Sequence, residues 1–253
     1  MKMIDLNCDM GEAFGNYVMP NDEKLMEYIS SVNIACGFHA GDPAVMQQTV
    51  ALALKNGVAI GAHPGLPDLQ GFGRREMKIT ANEAYQLTLY QIGALSAFVK
   101  AAGSKLHHVK AHGALYNMAA KDSSLAKAIV QAVYDFDPSL ILYALAGSKM
   151  IEEAEKVDII TASEVFADRS YQDDGLLTPR SADNALITSE EEAVNQVLGF
   201  ALKQEVRSTS GNRITVRAET VCLHGDGEHA VAFAKLIAER LKKEGIVIKA
   251  QVI

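Results

Sequence analysis

Only three cysteines, Cys8, Cys36 and Cys222, occur in 253 residues. Their odd number and wide spacing exclude a disulfide framework and a CxxC zinc pattern, so a reducing cytoplasm is the expected compartment. No uncharged apolar run reaches ~18 residues and no basic-then-apolar segment opens the chain, so neither a membrane span nor export is expected. Strong positive charge is also lacking. Lys and Arg number 24 against 31 Asp and Glu, a formal net charge of −7, which argues against nucleic acid or an anionic membrane as partner. G-x-x-x-x-G-K-[ST] and H-E-x-x-H are both missing. GFGRRE (71–76) is not G-x-G-x-x-G and does not open a helix directly after a strand, so the sequence offers no ordinary nucleotide cradle. Arg74 and Arg75 within it suit either an anionic group or solvent. A Pro/Ser-rich linker is missing as well, so residues 1–253 read as one domain large enough to bury a sizeable core.

What is present is a regular alternation. Short β-branched or apolar runs at Met3–Cys8, Val32–Cys36, Val58–Ala62, His108–Ala111, Leu140–Ala144, Ile159–Ala162 and Thr220–His224 read as strands. Amphipathic stretches at 22–29, 43–55, 80–102, 117–134, 148–156, 189–204 and 228–243 read as helices. Thr80 with Glu83, and Ser189 with Glu192, have the spacing of capping boxes, which satisfy the free amides of a first turn. Seven β-then-α units imply a parallel sheet, either a closed barrel or a doubly wound layer. Two segments stand outside the alternation, a polar connection at 167–188 and residues 206–218, whose alternating run Arg213–Arg217 reads as an accessory strand, and the tail at 246–253 reads as one more edge strand. Connections as long as the first are commonly functional or mobile.

The strands end in polar residues. The runs are DLNCDMGE (5–12), NIACGFHAGD (33–42), AIGAHPG (59–65), HVKAHGALYN (108–117), EVFADR (164–169) and VCLHGDG (221–227). Strand side chains alternate, so Asp5, Asn7 and Asp9 share a face, as do His108, Lys110 and His112, and Cys222, His224 and Asp226. Both architectures gather the carboxyl ends of the strands at one site. His39, His63, His112 and His224 are therefore expected to converge with Asp9, Glu12, Lys110 and Glu164. A lone strand-end histidine is most often structural, but four of the seven share this position. Lys110 in a buried strand needs a carboxylate, for which Asp9 and Glu12 are the candidates, or a substrate anion. The three cysteines read as small buried residues. Such His and Asp donors suit a divalent metal, yet their spacing matches no compact motif, and general acid–base work on an amide or ester carbonyl needs no metal.

Taken together, DLNCDMGE, NIACGFHAGDP, IGAHPGLPD with GFGRR, HVKAHGALYN, EVFADRSYQDDGLLTPR and CLHGDG resemble the LamB/YcsF family, in order and over nearly the whole chain. The resemblance implies a (β/α)7-type, TIM-like barrel similar to the glycoside hydrolase/deacetylase barrels. It also implies ATP-dependent opening of 5-oxo-L-proline to L-glutamate, with ATP as co-substrate and 5-oxoprolinase subunits B and C as partners. Within that chemistry the expected acid–base core is Asp9, His39, His63 and His112, oriented by Glu12 and Asp42. Asn7, Asp42, Lys110, Glu164, Arg169, Arg180, His224 and Asp226 are expected around the substrate, with Arg180 closing from the long loop. Two other readings stay open: a metal-dependent deacetylase or amidohydrolase acting without ATP, and a non-catalytic module that binds a small acid and regulates its partners.

Overall fold

The computed structural model describes residues 2–223 and 230–252, so His224 and Asp226 lie outside the described residues. The chain opens with β1 (Met3–Met10), α1 (Asp22–Leu25), β2 (Ser31–Ala35), α2 (Pro43–Asn56), β3 (Ala59–His63) and α3 (Ala81–Ala101). β4 (His108–Lys110), α4 (Gly113–Ala119), α5 (Ser123–Phe136), β5 (Ile141–Leu145), α6 (Lys149–Glu155) and β6 (Thr161–Phe166) follow. The last part holds α7 (Glu190–Lys203), the strands β7 (Glu205–Arg207) and β8 (Arg213–Thr215), β9 (Thr220–Leu223), α8 (Ala230–Lys243) and β10 (Val247–Ile248).

All pairings among β1 to β6 and β9 are parallel, and β1 is bonded to both β2 and β9. That double pairing closes the sheet. Seven strands form the barrel, and the choice that alternation alone left open is decided by the β1–β9 register, Asp5 opposite Thr220 through Cys8 opposite Leu223.

The two faces of β1 go to different places. Ile4, Leu6, Cys8 and Met10 are buried in the apolar layer between barrel and helices. Asp5 and Asn7, also fully buried, point inward, where Asp5 accepts from Thr220 on the neighbouring β9 and Asn7 donates to Glu164 on β6. The outer layer therefore supplies the apolar burial, at about 1.5–3 kcal/mol per large side chain, while the inside of the barrel is largely polar. α5 shows the pattern that makes such a layer: Leu125, Ala126, Ile129, Val130 and Val133 are buried, the one-sided stripe of a 3.6-residue period.

Helix starts follow the capping signals closely. Thr80 and Glu83 form the full reciprocal box at α3. At α7 the Ser189 hydroxyl accepts from Glu192 N. Asp122 caps α5, which splits the helix expected at 117–134 into α4 and α5. The helix expected at 22–29 is a single turn. β6 begins two residues later than expected and runs on to Phe166, which puts Glu164 inside the strand.

The accessory strand is half of an antiparallel hairpin, β7 with β8, and the tail contributes two residues beside Met3 and Ile4. The 167–188 connection is tied down rather than loose. Tyr171 is fully buried, its hydroxyl accepts from Phe166 N at 2.8 Å, and it bridges to Leu177 and Ser208.

Candidate active site

The polar interior is a ladder of hydrogen bonds. At its foot Asp5 accepts from the hydroxyls of Ser30, Ser31 and Thr220 at 2.6–2.8 Å. Burial nonetheless raises its pKa above the usual carboxylate value, with the hydroxyls opposing. Asn7 Nδ2 donates to Glu164 Oε1 at 3.0 Å and to Thr220 Oγ1 at 2.7 Å. Asn33 Nδ2 donates to Asn7 Oδ1 and Asp9 Oδ1, both at 2.8 Å, and His108 Nε2 donates to Asn33 Oδ1 at 2.8 Å.

Lys110 stands at the centre of this ladder. Its Nζ lies 2.8 Å from Glu164 Oε1, 2.9 Å from Asp9 Oδ1, and 3.1 Å from both Asn7 Oδ1 and Cys222 Sγ. Burial alone would discharge it, but Asp9, Cys222 and Glu164 outweigh that and hold its pKa well above the ordinary lysine value. Three ammonium protons already shared among four acceptors leave none for a substrate. The expectation that Lys110 binds a substrate anion is therefore corrected: the structure gives it to the carboxylates, with Glu164 in the place proposed for Glu12. Glu164 is likewise occupied, its second oxygen accepting from Tyr116 at 2.7 Å.

Above the lysine the histidines gather. His63 Nδ1 faces the carbonyl of Lys110 at 2.7 Å and His112 Nε2 faces that of Phe72 at 2.8 Å. A carbonyl only accepts, so these nitrogens carry the protons. His63 Nε2 and His112 Nδ1 then point at each other across 2.9 Å. Asp9 Oδ2 is 3.2 Å from the first, and Glu12 Oε1 is 3.7 Å from the second and 3.3 Å from His39 Nε2. The rings of His39 and His112 stack at 3.7 Å.

Burial pushes both of those imidazoles well below their usual pKa, with neighbouring histidines adding to the effect, so they are neutral near pH 7. For Asp9, burial acts upward but His63 and Lys110 outweigh it, and its carboxyl stays well below the usual value. Glu12, His39, His63 and His112 bring one ligand atom each within 4.8 Å of one another, a donor set able to hold a metal.

Two glycines permit this crowding. At Gly73 a Cβ would stand 2.7 Å from His39 Cβ and 2.8 Å from His112 Cδ2, and its φ is +62°. At Gly65 a Cβ would meet His39 Nδ1 at 2.5 Å.

Asp9, Glu12, His63 and His112 line a cavity of about 400 Å³ whose wall also carries Arg74, Lys121, Arg169 and Arg180. Arg169 is buried and anchored on carbonyls, through Nε to Ala185 at 3.2 Å and Nη2 to Thr178 at 2.6 Å. Burial, then the Arg180 charge, lowers its pKa to about 10, and it remains a cation at neutral pH. Arg74 lies over the Phe72 ring at 4.9 Å and on the cavity wall, whereas Arg75 is bound to Asp68. Asp42 does not join the cluster. Its side chain caps α2 through Ala44 N and Val45 N and accepts from Gly15 N, so its expected orienting and substrate roles are replaced by a helix-capping one. Asn33 and His108, which steady Asp9, and Tyr116, Lys121 and Thr178 on the cavity wall were not singled out as site residues. His108 had its signal in the alternation of His108, Lys110 and His112; the others had none.

Comparison with known proteins fits this geometry. Residues 4–252 match the model of the LamB/YcsF family. The chain belongs to that family. LamB/YcsF relatives include the A subunit of 5-oxoprolinase from Geobacillus thermodenitrificans, 60% identical over 99% of this chain and 97% of that protein. The protein of the same description in Bacillus subtilis is 56% identical over 99% and 97%. Among solved structures, the lactam utilization protein of Thermus thermophilus superposes with a TM-score of 0.93 at 45% identity, over 98% of this chain and 100% of that one. The catalytic domain of a peptidoglycan N-acetylglucosamine deacetylase from Eubacterium rectale gives 0.53 at 14% identity, over 99% and 89%. At that distance the likeness shows the barrel fold of this LamB/YcsF protein and nothing of its chemistry.

Proposed function

We propose that this chain is the A subunit of an ATP-dependent 5-oxoprolinase, working as one domain, and that the cavity over the histidines is where the lactam opens. The observation that carries this reading is the juxtaposition of a buried carboxylate–histidine centre with a cation-rimmed cavity. The substrate is a small anion with a cyclic amide, and the cavity presents cations above and proton-transfer groups below. Net reaction adds the oxygen of water to the lactam carbon and breaks the C–N bond. The nitrogen leaves as an amine with the proton it gains, and a second water is consumed as ATP goes to ADP and phosphate in the same cycle.

Arg169 and Arg180 hold the substrate carboxylate or phosphate, with Arg74 and Lys121 on the same wall. The His63–His112 pair takes the proton of the attacking water and returns one to the nitrogen. Asp9 holds His63, while Glu12 and His39 hold His112. Lys110, Glu164 and Asn7 fix Asp9 from below. The reading includes subunits B and C as partners and, from three buried unpaired cysteines, a reducing cytoplasmic setting. Among the described residues no helix is long and apolar enough to cross a membrane.

The histidine–carboxylate cluster favours one second reading, a metal-dependent amidohydrolase acting without ATP. Release of phosphate from ATP on addition of 5-oxo-L-proline, with glutamate assayed in parallel, separates the two. It is run on this chain alone, on subunits B and C alone, and on the mixture. Coupled phosphate and glutamate only in the mixture is the expected result. Glutamate from the chain alone without ATP overturns it.

A further inference from the structure

Phe72 stands in a backbone conformation that its side chain does not favour. Its φ is +54°, in the left-handed region that glycine enters freely and a bulky residue seldom does. Such a conformation persists only where the surroundings hold it, and it is common at functional sites. Here the Phe72 carbonyl faces His112 Nε2, 2.8 Å away. The ring meets His39 and His112 edge-on, with centroids 5.8 and 5.3 Å apart. One strained residue thus touches two imidazoles of the cluster, through its ring and its backbone.

A clasp between Asp68 and Arg75 holds it there. Asp68 is buried and serves the turn with both its side chain and its backbone. Its carboxylate accepts from Gly71 N at 3.0 Å, and its carbonyl accepts from Gly73 N at 2.9 Å. Phe72 is bracketed on either side. The Arg75 guanidinium closes the clasp: Nε donates to Oδ1 at 3.0 Å and to Oδ2 at 3.1 Å, and Nη2 donates to Oδ1. Such charge-assisted bonds are stronger than neutral ones and more exacting in geometry. Beyond the turn, the Gly73 carbonyl accepts from Ala114 N at 2.8 Å, which ties it to the start of α4 beside His112.

We propose that Asp68 and Arg75 are positioning residues for His112, acting through the carbonyl of Phe72. A carbonyl only accepts, so this contact keeps a proton on His112 Nε2. In a neutral imidazole that choice leaves the other nitrogen bare. The other nitrogen is Nδ1, 2.9 Å from His63 Nε2 and 3.7 Å from Glu12 Oε1. An ion pair whose arginine side chain is 65% exposed therefore decides which side of His112 is free to take a proton. The proposal rests on the reading that His63 and His112 move the protons of lactam opening.

The chain by itself, isotope-labelled at its histidine nitrogens, is examined by proton–nitrogen correlation at mildly alkaline pH. The His112 signal is the one that disappears in His112→Gln. A single tautomer protonated at Nε2 is expected in the wild type, and a mixture of both tautomers in Asp68→Ala and Arg75→Ala. In Asp68→Asn, whose side-chain oxygen still accepts from Gly71 N, the wild-type tautomer should largely return. Circular dichroism melting establishes that each variant is folded, and Arg75→Ala, at an exposed position, decides alone if Asp68→Ala does not fold. In the three-subunit mixture kcat should fall roughly tenfold or more in Asp68→Ala and Arg75→Ala, and less in Asp68→Asn. A wild-type His112 protonated at Nδ1 overturns the proposal, as does a folded Asp68→Ala or Arg75→Ala chain that keeps the wild-type tautomer. So does a mixed tautomer with kcat unchanged. If the oxoprolinase reading itself fails, the wild-type mixture forms no ATP-coupled glutamate either, while the tautomers still report on the clasp.

Discussion

The carboxylate of Asp9 is divided between two neighbours: Oδ1 sits 2.9 Å from Lys110 Nζ while Oδ2 sits 3.2 Å from His63 Nε2. One side chain on β1 thus joins the charged ladder inside the barrel to the histidines that floor the cavity. What disturbs the ladder reaches the histidines through this residue.

Lys110→Met is the direct test of that link. Removing the ammonium leaves Asp9 and Glu164 as buried carboxylates without their counter-charge. Breaking such a pair from one side costs about 3–5 kcal/mol. Urea unfolding is expected to show that loss, and activity of the assembled enzyme is expected to disappear. A variant as stable and as active as the wild type would contradict the arrangement.

Gly73→Ala tests the crowding. The added methyl presses on His39 and His112, and the residue is held at φ +62°, a left-handed conformation that an L side chain adopts at a cost of roughly 1–2 kcal/mol. Expected is a loss of at least 100-fold in kcat with a modest fall in Tm. Ser148→Ala, a buried position away from the cavity, should leave kcat unchanged.

Arg169→Gln removes the buried cation of the cavity wall but keeps a group able to donate to a carbonyl. If Arg169 binds a substrate anion, KM for 5-oxo-L-proline rises by roughly tenfold or more. Steady-state rates of the reconstituted enzyme measure this directly. An unchanged KM would assign Arg169 to holding the 167–188 connection through Thr178 and Ala185 and nothing more.

The ladder also predicts how stability depends on pH. Burial, followed by the charges of His107 and Lys110, depresses the pKa of His108. The folded chain keeps His108 neutral where the unfolded chain takes up a proton. The stability this provides is present above the unfolded value near 6.5 and is lost as pH falls below it, by about 1.4 kcal/mol per pH unit for one proton. Urea midpoints between pH 8 and pH 5 should show this slope, and His108→Gln should reduce it by about one proton. A slope unaltered in the variant counts against a neutral His108.

Much of this was legible in the chain. The seven β-then-α units read correctly because alternating burial is a local signal, and the capping pairs at Thr80 and Ser189 fix where α3 and α7 begin. Closure was not legible, since it depends on β1 pairing with β9 more than two hundred residues away. The convergence of His39, His63 and His112 with Asp9 and Glu12 followed from strand polarity alone. The misreadings were of another kind. Asp42 sits before a proline and an apolar helix, where an acid caps the helix as readily as it serves a site. Lys110 and Glu164 face each other across the barrel, a relationship that no spacing along the chain records. Arg74 and Arg75 are adjacent in sequence, and only the position of Asp68 separates the one on the cavity wall from the one held in an ion pair.

The most direct test of the central claim uses the three-subunit mixture with 5-oxo-L-proline and ATP, comparing the wild-type chain with His63→Ala and Asp9→Asn. Co-elution of each variant with its partners confirms assembly. The account predicts that both variants assemble yet form glutamate at no more than a hundredth of the wild-type rate. Assembled variants that form glutamate at the wild-type rate would place the lactam-opening chemistry outside this cavity and leave the chain a binding role only.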